Sequence, residues 1–580
     1  MKIVLVNIPL NSEIGKVAKS LGFICLHHID GDIIYNPHNN SLQKILSELD
    51  IDTLIWWGPE YNPLPKDFEK LDCYKVSVVG DWNLSFSYLK QVVVLFDLVV
   101  CDKYGLEIFH KHGFQNFSNW RGNGYNPDTF KNLNLERIYD VTFAGTINND
   151  IHRKREKFIY RLAKLSSKIK VNIVTAIYGN DYINLLNQSK LVFNFGIRKE
   201  ANMRLFESLA CGALPLVEKD NMEIMDVFDK DEIAYYDENN FENIILELVE
   251  NDEKRNYLIN KASLKIKKET YKDHLEWLLE IIIDNKKNTI KKEIYYQKNE
   301  SSILELLSIL NSIGTYITKD ELRIFIDTYE HKNLLDINSL NIYALIIANY
   351  SLIYEDNNKS IFYKKALKIL NKAISISKHP ILIFNYAHIS LQINMTEIAI
   401  DKFSECISLL EEYVFDFETI NCIKFPLDFS LFRVEWENSL SEQNNSKSIL
   451  LWKSYEKIGE ILFLQNQYEQ SKKYFYKSIE SKPEISSYSY LRLAFILQNE
   501  QNITEAYILF KEAQKLDPLN LEVQDNYLNF LIENNFIQEY ENYYHEITQI
   551  RKCCPSYILK REKSLNELII YDQFGSEIKR

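Results

Sequence analysis

The sequence predicts an α/β protein followed by an all-α tail. A first parallel-sheet lobe spans residues 1–125, a second spans 126–288, and a helical repeat domain spans 289–580. Three observations carry this. Up to about residue 285, short apolar runs alternate with amphipathic helical stretches, the order that builds parallel sheets covered by helices. The alternation pauses at the turn-rich segment Gly122-Asn123-Gly124-Tyr125-Asn126-Pro127 and then restarts. Beyond about residue 290 the strand signal fades and a 35-residue recurrence takes over.

In the first lobe, Lys2–Val6 reads as a strand and Glu13–Leu21 as a helix closed by Gly22. Thr53–Trp57 is a strand ending at Gly58-Pro59, and Lys75–Val79 one ending at Gly80-Asp81. Leu95–Cys101 follows, then a helix over Glu107–His112 that stops at Gly113. In the second lobe Asp140–Ala144 is a strand running into Gly145, and His152–Lys168 is a strongly amphipathic helix. Lys170–Val174, Leu191–Phe195 and Leu214–Val217 are strands. Met203–Ala210, Asn240–Val249 and Asp252–Glu269 are helices, the first with Gly212 just past its end. Two such Rossmann-like lobes on a linker enclose a cleft, and open parallel sheets bind ligands at the carboxyl ends of their strands.

Composition narrows the function. The 580 residues are 46% hydrophobic and 26% charged, a globular balance with enough chain for several cores. A net charge of −13 argues against a general nucleic-acid binder or a protein held on an anionic membrane surface. Eight scattered cysteines are too few for a disulfide scaffold, so free thiols in a reducing compartment are expected. The adjacent Cys553-Cys554 lacks the spacing of a metal-ligand pair. Met1–Val6 is too short for a signal core, and there is no run of about 18 apolar residues. A cytoplasmic protein without a transmembrane segment is expected.

In the tail, Gly459, Ser471, Phe475, Ser478 and Pro483 recur 35 residues later as Ala494, Ala506, Phe510, Ala513 and Pro518. Weaker copies run through Ala387, Ala399, Phe403 and Cys406, and through Ala366, Leu370 and Ala373. Small residues let paired helices approach, and the proline ends the second helix. The pattern resembles the tetratricopeptide repeat, whose copies stack into a solenoid with a concave groove. Asn438–Ser448 reads as a break in the array.

The segment richest in chemistry is Asn194 to Val217, NFGIRKEANMRLFESLACGALPLV. A strand ends near Asn194, a polar loop carries Arg198, Lys199, Glu200 and Asn202, and a helix carries Arg204 and Glu207 three apart on one face. A helix start with free N–H groups and an arginine suits a diphosphate. A carboxylate one turn further in suits the two hydroxyls of a ribose.

The run Asn202, Arg204, Phe206, Glu207, Ala210, Cys211, Gly212, Ala213 resembles the nucleotide-binding signature of GT-B-fold glycosyltransferases, particularly the spore-maturation branch. The resemblance covers roughly residues 75–285. It implies twin Rossmann-like lobes and transfer of a sugar from a nucleotide-sugar donor. It places Glu207 on the ribose and Arg204 at the diphosphate. It sets the Gly145-Thr146 loop against the donor phosphates, with Arg153 and Arg155 nearby, and Tyr178 and Tyr182 where the family holds the base. Asn194, Arg198 and Asn202 complete the expected donor-binding set. Many retaining members carry a second glutamate eight positions before the ribose-binding one. Lys199 stands there, with Glu200 one residue on, so the stereochemical outcome stays open.

The first lobe is expected to supply the acid or base. Asp81, just past a strand end, is the first candidate, Glu60 the second, and His27-His28 the third. Trp57, Trp82 and Trp120 either stack on sugar or pack in the core. The tidiest Asp-x-Asp, Asp229-Lys230-Asp231, reads as a solvated turn, so neither a metal nor a resident cofactor is expected; the nucleotide-sugar is a co-substrate. The expected acceptor is Ser or Thr of a protein held by the repeat groove. The alternatives are a polysaccharide or lipid-linked acceptor, or a non-catalytic peptide-binding scaffold with a degenerate transferase module. Self-association is left open.

Overall fold

The computed structural model describes residues 2–37, 40–65, 68–84, 86–147, 149–288, 305–307, 309–310, 313, 317–332, 334, 336–354, 359–415, 417 and 445–555. These divide into two compact units. One carries both parallel sheets and takes in the chain to residue 288 apart from 149–153, together with 545–555; the other takes in the rest.

The first sheet holds β1 (Ile3–Val6), β2 (Ile24–His27), β3 (Ile33–Ile34), β4 (Thr53–Trp57), β5 (Tyr74–Val78), β6 (Leu98–Cys101) and β7 (Phe117–Asn119), in the order β3-β2-β1-β4-β5-β6-β7, all pairs parallel. The second holds β8 (Tyr139–Ala144), β9 (Val171–Val174), β10 (Ser189–Phe193), β11 (Leu214–Glu218) and β12 (Ala234–Tyr236), in the order β12-β11-β10-β8-β9, again parallel. Strands covered on both faces read as continuous apolar runs. All four residues of β1 (IVLV) and of β6 (LVVC) are buried. Leu95–Cys101 is shorter than expected: Val93–Leu95 forms a helical turn, and Asp97 takes the Lys75 N–H at 2.7 Å before β6 begins.

The helices are α1 (Glu13–Ser20), α2 (Leu42–Leu49), α3 (Phe86–Val92), α4 (Lys103–Lys111), α5 (Asn149–Lys164), α6 (Gly179–Asn187), α7 (Met203–Ala210), α8 (Met222–Val227), α9 (Phe241–Glu250), α10 (Asp252–Lys265) and α11 (Tyr271–Asn288). The chain order of the lobes is not their packing order. Leu275, Leu278 and Ile282 of α11 are buried in the first lobe's core with Ile3, Leu5, Val76 and Leu98, although they lie within 126–288, the span expected to form the second lobe. The chain therefore crosses between lobes twice. The crossings lie side by side: Tyr125 N–H donates to Glu269 O at 3.3 Å and Tyr271 N–H to Tyr125 O at 3.1 Å. Trp120 Nε1 donates to His274 O at 2.8 Å, and Arg121 pairs with Glu269 at 2.7 Å.

One arginine ties the ends of two second-lobe helices. Arg137 donates Nη1 to Leu186 O at 3.0 Å and Ser189 O at 3.1 Å, and Nη2 to Cys211 O and Gly212 O, both at 2.9 Å. It thereby satisfies orphan carbonyls past α6 and α7. Arg137→Ala is expected to destabilise this unit by about 2–4 kcal/mol, because several carbonyls lose a charged donor together. Denaturant unfolding measures this. Arg137→Lys should recover only part, since an ammonium lacks the fork that serves both helix ends.

The second unit is helical. Paired helices run over Asn445–Leu464 and Tyr468–Ser481, Ser487–Asn499 and Ile503–Leu516, and Leu521–Glu533 and Ile537–Cys553. A side chain on Gly459 would lie 2.9 Å from the Phe475 ring, and Ser471 Oγ donates to Gly459 O at 2.7 Å, which explains the small residues. The connections repeat too. Asn394, Asn466, Gln501 and Asn535 all take positive φ, near 60°. The following N–H reaches back to a helix carbonyl each time: Met395 to Ser390, Gln467 to Leu462, Asn502 to Leu497 and Phe536 to Leu531, at 2.9–3.1 Å. The first seven residues of the expected break at Asn438–Ser448 lie outside the described residues, as does Cys422; Asn445–Leu464 begins within the stretch. Among the described residues, no helix is long and apolar enough to cross a membrane, and seven cysteines are free thiols.

Candidate functional site

The site begins where β10 ends. Helix α7 follows from an amphipathic pattern. Leu205, Phe206 and Leu209 are buried in the second lobe's core, and Gly212 (φ 75°) turns the chain into β11. Its N-cap, Asn202, is extended and makes no side-chain cap; Nδ2 instead donates to Phe195 O at 3.3 Å. The opening turn of α7 therefore has no side-chain cap on its N–H groups.

Arg204 turns back from α7 toward the Gly145 loop. Nη1 donates to Asn194 Oδ1 at 3.3 Å, and the guanidinium lies 5.0 Å from the centre of the Phe143 ring. A side chain on Gly145 would lie 2.6 Å from Arg204 Nη2 and would push the guanidinium tip away from the loop. Arg155 of α5 places its guanidinium 5.7 Å from the same ring and donates to Thr146 O. Two cations, Arg204 and Arg155, thus meet at one loop. Among the described residues, no carboxylate lies within ion-pair distance of Arg204, whose contacts are Asn194 and the Phe143 ring. Asn194 Nδ2, Asn202 Oδ1 and Arg204 Nε are buried without hydrogen-bond partners. Such atoms are costly in a bare fold and mark where a ligand's polar atoms belong. Arg153 is half-buried on α5, and Tyr178, just before α6, is 69% exposed.

Glu207 lies one turn beyond Arg204. Its Oε2 accepts the Tyr182 hydroxyl at 2.8 Å. Burial pushes its carboxyl up to about 7, partly offset by the Tyr182 hydrogen bond and by Arg204. Tyr182 is thus the half-buried partner of Glu207.

Asp81 follows β5 and is 41% exposed on its side chain. One oxygen accepts the Tyr61 hydroxyl and the other accepts Nη1 of Arg198 from the second lobe. Glu60 is 2% exposed, and its Oε1 accepts the N–H groups of Gly80 at 2.8 Å and Asp81 at 2.9 Å. Burial pushes its carboxyl up to about 7. The expectation that Glu60 reacts is corrected: it is enclosed and holds the loop that carries Asp81.

Arg198, expected in the donor-binding set, is engaged with carboxylates. It is buried, donating Nη1 to Asp81 and Nε to Asp102 Oδ2 at 3.2 Å, with Nη2 3.8 Å from Glu200. Glu200 is itself committed, accepting Arg198 N–H at 2.6 Å, and burial raises its pKa. Lys199 (φ 59°) pairs with Asp220 at 3.0 Å. Neither residue 199 nor 200 presents an unengaged carboxylate.

The other candidates have structural work. His27 Nδ1 accepts the N–H groups of Ile29 and Asp30 at 3.3 and 3.2 Å, and burial pushes its pKa down to about 4. Trp82 is fully buried and donates Nε1 to Asp102 at 2.7 Å; Trp57 and Trp120 pack edge to face at 5.6 Å. Asp231 pairs with Lys261 at 2.6 Å and Asp229 with Lys265 at 4.0 Å. Among the described residues no acid, histidine or cysteine cluster fits a metal. Sequence reading missed Asp102 and Tyr61. Asp102 stands immediately after β6, the same strand-end signal that picked out Asp81.

Twin parallel-sheet lobes with an arginine–glutamate helix at the carboxyl edge of the second define a glycosyltransferase-like fold, here followed by a helical repeat array. Comparison of the sequence agrees. Residues 133–280 match the family model described as glycosyl transferase-like, and residues 453–485 match a tetratricopeptide repeat. Among solved structures, a glycosyltransferase from Rickettsia africae ESF-5 is 14% identical, with a TM-score of 0.38 over 50% of this chain and 99% of that one. Sucrose-phosphate synthase from Thermosynechococcus elongatus is 7% identical, with a TM-score of 0.37 over 50% and 100%. MamA from Desulfovibrio magneticus RS-1 is 11% identical, with a TM-score of 0.25 over 39% and 97%. No curated protein matches the chain.

Proposed function

We propose that the protein is a nucleotide-sugar-dependent glycosyltransferase of the GT-B type, in the spore-maturation branch, working without a metal. The observation that carries the reading is the set of unpartnered polar atoms on Asn194, Asn202 and Arg204, beside the arginine pair at Gly145 and one turn from Glu207. The guanidiniums and the opening turn of α7 meet the donor diphosphate. Glu207 accepts from the ribose hydroxyls, and Tyr178 stacks on the base. In the transfer step an acceptor oxygen bonds to the anomeric carbon while the bond from that carbon to the diphosphate oxygen breaks. The electron pair leaves on the diphosphate, and the acceptor's proton passes to Asp81.

The helical array supports a protein acceptor modified on Ser or Thr, because repeat grooves suit extended chain. The free thiols support a reducing compartment, the cytoplasm.

Calorimetry with UDP, GDP and ADP tests the reading. One is expected to bind, and more tightly as pH rises. The Glu207 carboxyl titrates at about 7, and only its ionised form accepts from both hydroxyls. Its ionised fraction rises about tenfold from pH 6 to pH 8, and affinity should follow. Glu207→Gln should remove that rise while keeping any part due to the phosphate's own ionisation. Absence of heat with all three nucleotides would overturn the reading.

A further inference from the structure

Arg198 is the one arginine of the 194–217 segment that does not turn toward Gly145. It leaves its own loop and ends between two carboxylates of the other lobe, 117 residues away in sequence at Asp81 and 96 at Asp102. Both anchors follow strand ends of the first sheet, β5 and β6. Asp102 is rigid: Oδ1 caps α4 through Gly105 N–H at 2.7 Å, and Oδ2 takes both Trp82 Nε1 and Arg198 Nε. Behind Arg198, Glu200 accepts its main-chain N–H, and Glu223 Oε2 takes the N–H of Ala201 at 2.9 Å, so the loop is pinned too. The contact continues beside it: Lys103 N–H donates to Glu223 at 3.2 Å and Lys103 Nζ to Asp226 at 2.9 Å.

A buried guanidinium facing three carboxylates is not available to a phosphate without leaving them unpaired, at a cost of several kcal/mol. Its planar fork does something else. Asp102 and Asp81 both belong to the first lobe, so Arg198 joins them through Nε and Nη1 only when the lobes are together.

We infer that Arg198 is a positioning residue, an interlobe bolt that seats Asp81 when the cleft closes, and not a ligand of the donor diphosphate. The inference rests on the proposed role of Asp81. Lobe closure and orientation of the reacting carboxylate then become one event.

The test compares the full-length chain with R198Q, R198K and D102N. Affinity for UDP, GDP or ADP, whichever the wild-type chain binds, should stay within twofold in R198Q. Turnover of a panel of UDP-, GDP- and ADP-sugars should lose tenfold or more in kcat at unchanged donor KM. R198K, which can still reach one carboxylate, should recover part of that loss. D102N retains Arg198 and the α4 cap through Oδ1, and guards against R198Q failing to fold; it should reproduce the kcat loss. A fall of more than tenfold in nucleotide affinity, or an unchanged kcat, overturns the inference. Spin labels on Lys111→Cys and Lys230→Cys, one exposed site per lobe, read the bolt without any donor. R198Q should lengthen and broaden the distance distribution, and an unchanged distribution also overturns it. If the wild-type chain binds no nucleotide, the donor reading fails while the labels still decide on Arg198.

Discussion

Replacing Arg204 with alanine is expected to weaken nucleoside diphosphate binding by about two orders of magnitude. A hydrogen bond from a charged group contributes about 1.5–3 kcal/mol, and Arg204 brings two donor nitrogens and a charge to one anion. Its present contacts are modest: a 3.3 Å bond to Asn194 and the Phe143 ring. A ring–cation contact of this kind contributes about 0.5–2 kcal/mol. The buried Nε has no partner, so its removal also relieves a cost. Thermal stability should therefore change far less than affinity. Calorimetric titration alongside a melting curve separates the two. A large drop in melting temperature with affinity retained would make Arg204 a packing residue and remove the diphosphate assignment.

Asp81→Asn is expected to lower transfer by about 10²–10⁴-fold while leaving nucleotide affinity within about twofold. Asp81 belongs to the first lobe, whereas Arg204, Glu207 and the Gly145 loop belong to the second. The amide preserves shape and still accepts from Tyr61 or Arg198, but it takes no proton. Arg198 keeps Asp102 and Glu200, so its buried charge stays paired. Single-turnover transfer and calorimetry on the same preparation read both effects. Full transfer by this variant would remove Asp81 as the base, and lost nucleotide binding would make it a structural residue.

Much of the second lobe was legible locally. The helix expected over Met203–Ala210 has those bounds, since a periodic apolar face and a following glycine set both ends. The strand Thr53–Trp57 likewise stands as read. The approach of Arg204 to the Gly145 loop was an expectation of the family resemblance, and the fold allows it because β8 and β10, which lead toward the loop and α7, are neighbours in one sheet. Strands β2, β3, β7 and β12 were missed. The last three are edge strands of two or three residues, too short for a period to register, and β2 spans only four. Helix α11 was missed as well, and its destination in the first lobe's core is a matter of packing.

The amino-acid sequence by itself determined the alternation of strands and helices, the break at Gly122–Pro127, the repeat small-residue spacing and the Arg204–Glu207 face. All of these are written within a turn or a few tens of residues, where backbone periodicity and glycine placement act. Tertiary structure alone decided what each charge faces. Arg198 and Arg204 sit six positions apart with the same side chain, yet one bolts the lobes at Asp81 and Asp102 and the other turns to Asn194 and the Phe143 ring. Glu60 and Asp81 likewise parted into support and exposed acid. The reason is physical: electrostatic partners are chosen by proximity in the folded chain, and neighbours about a hundred residues apart leave no trace in local pattern.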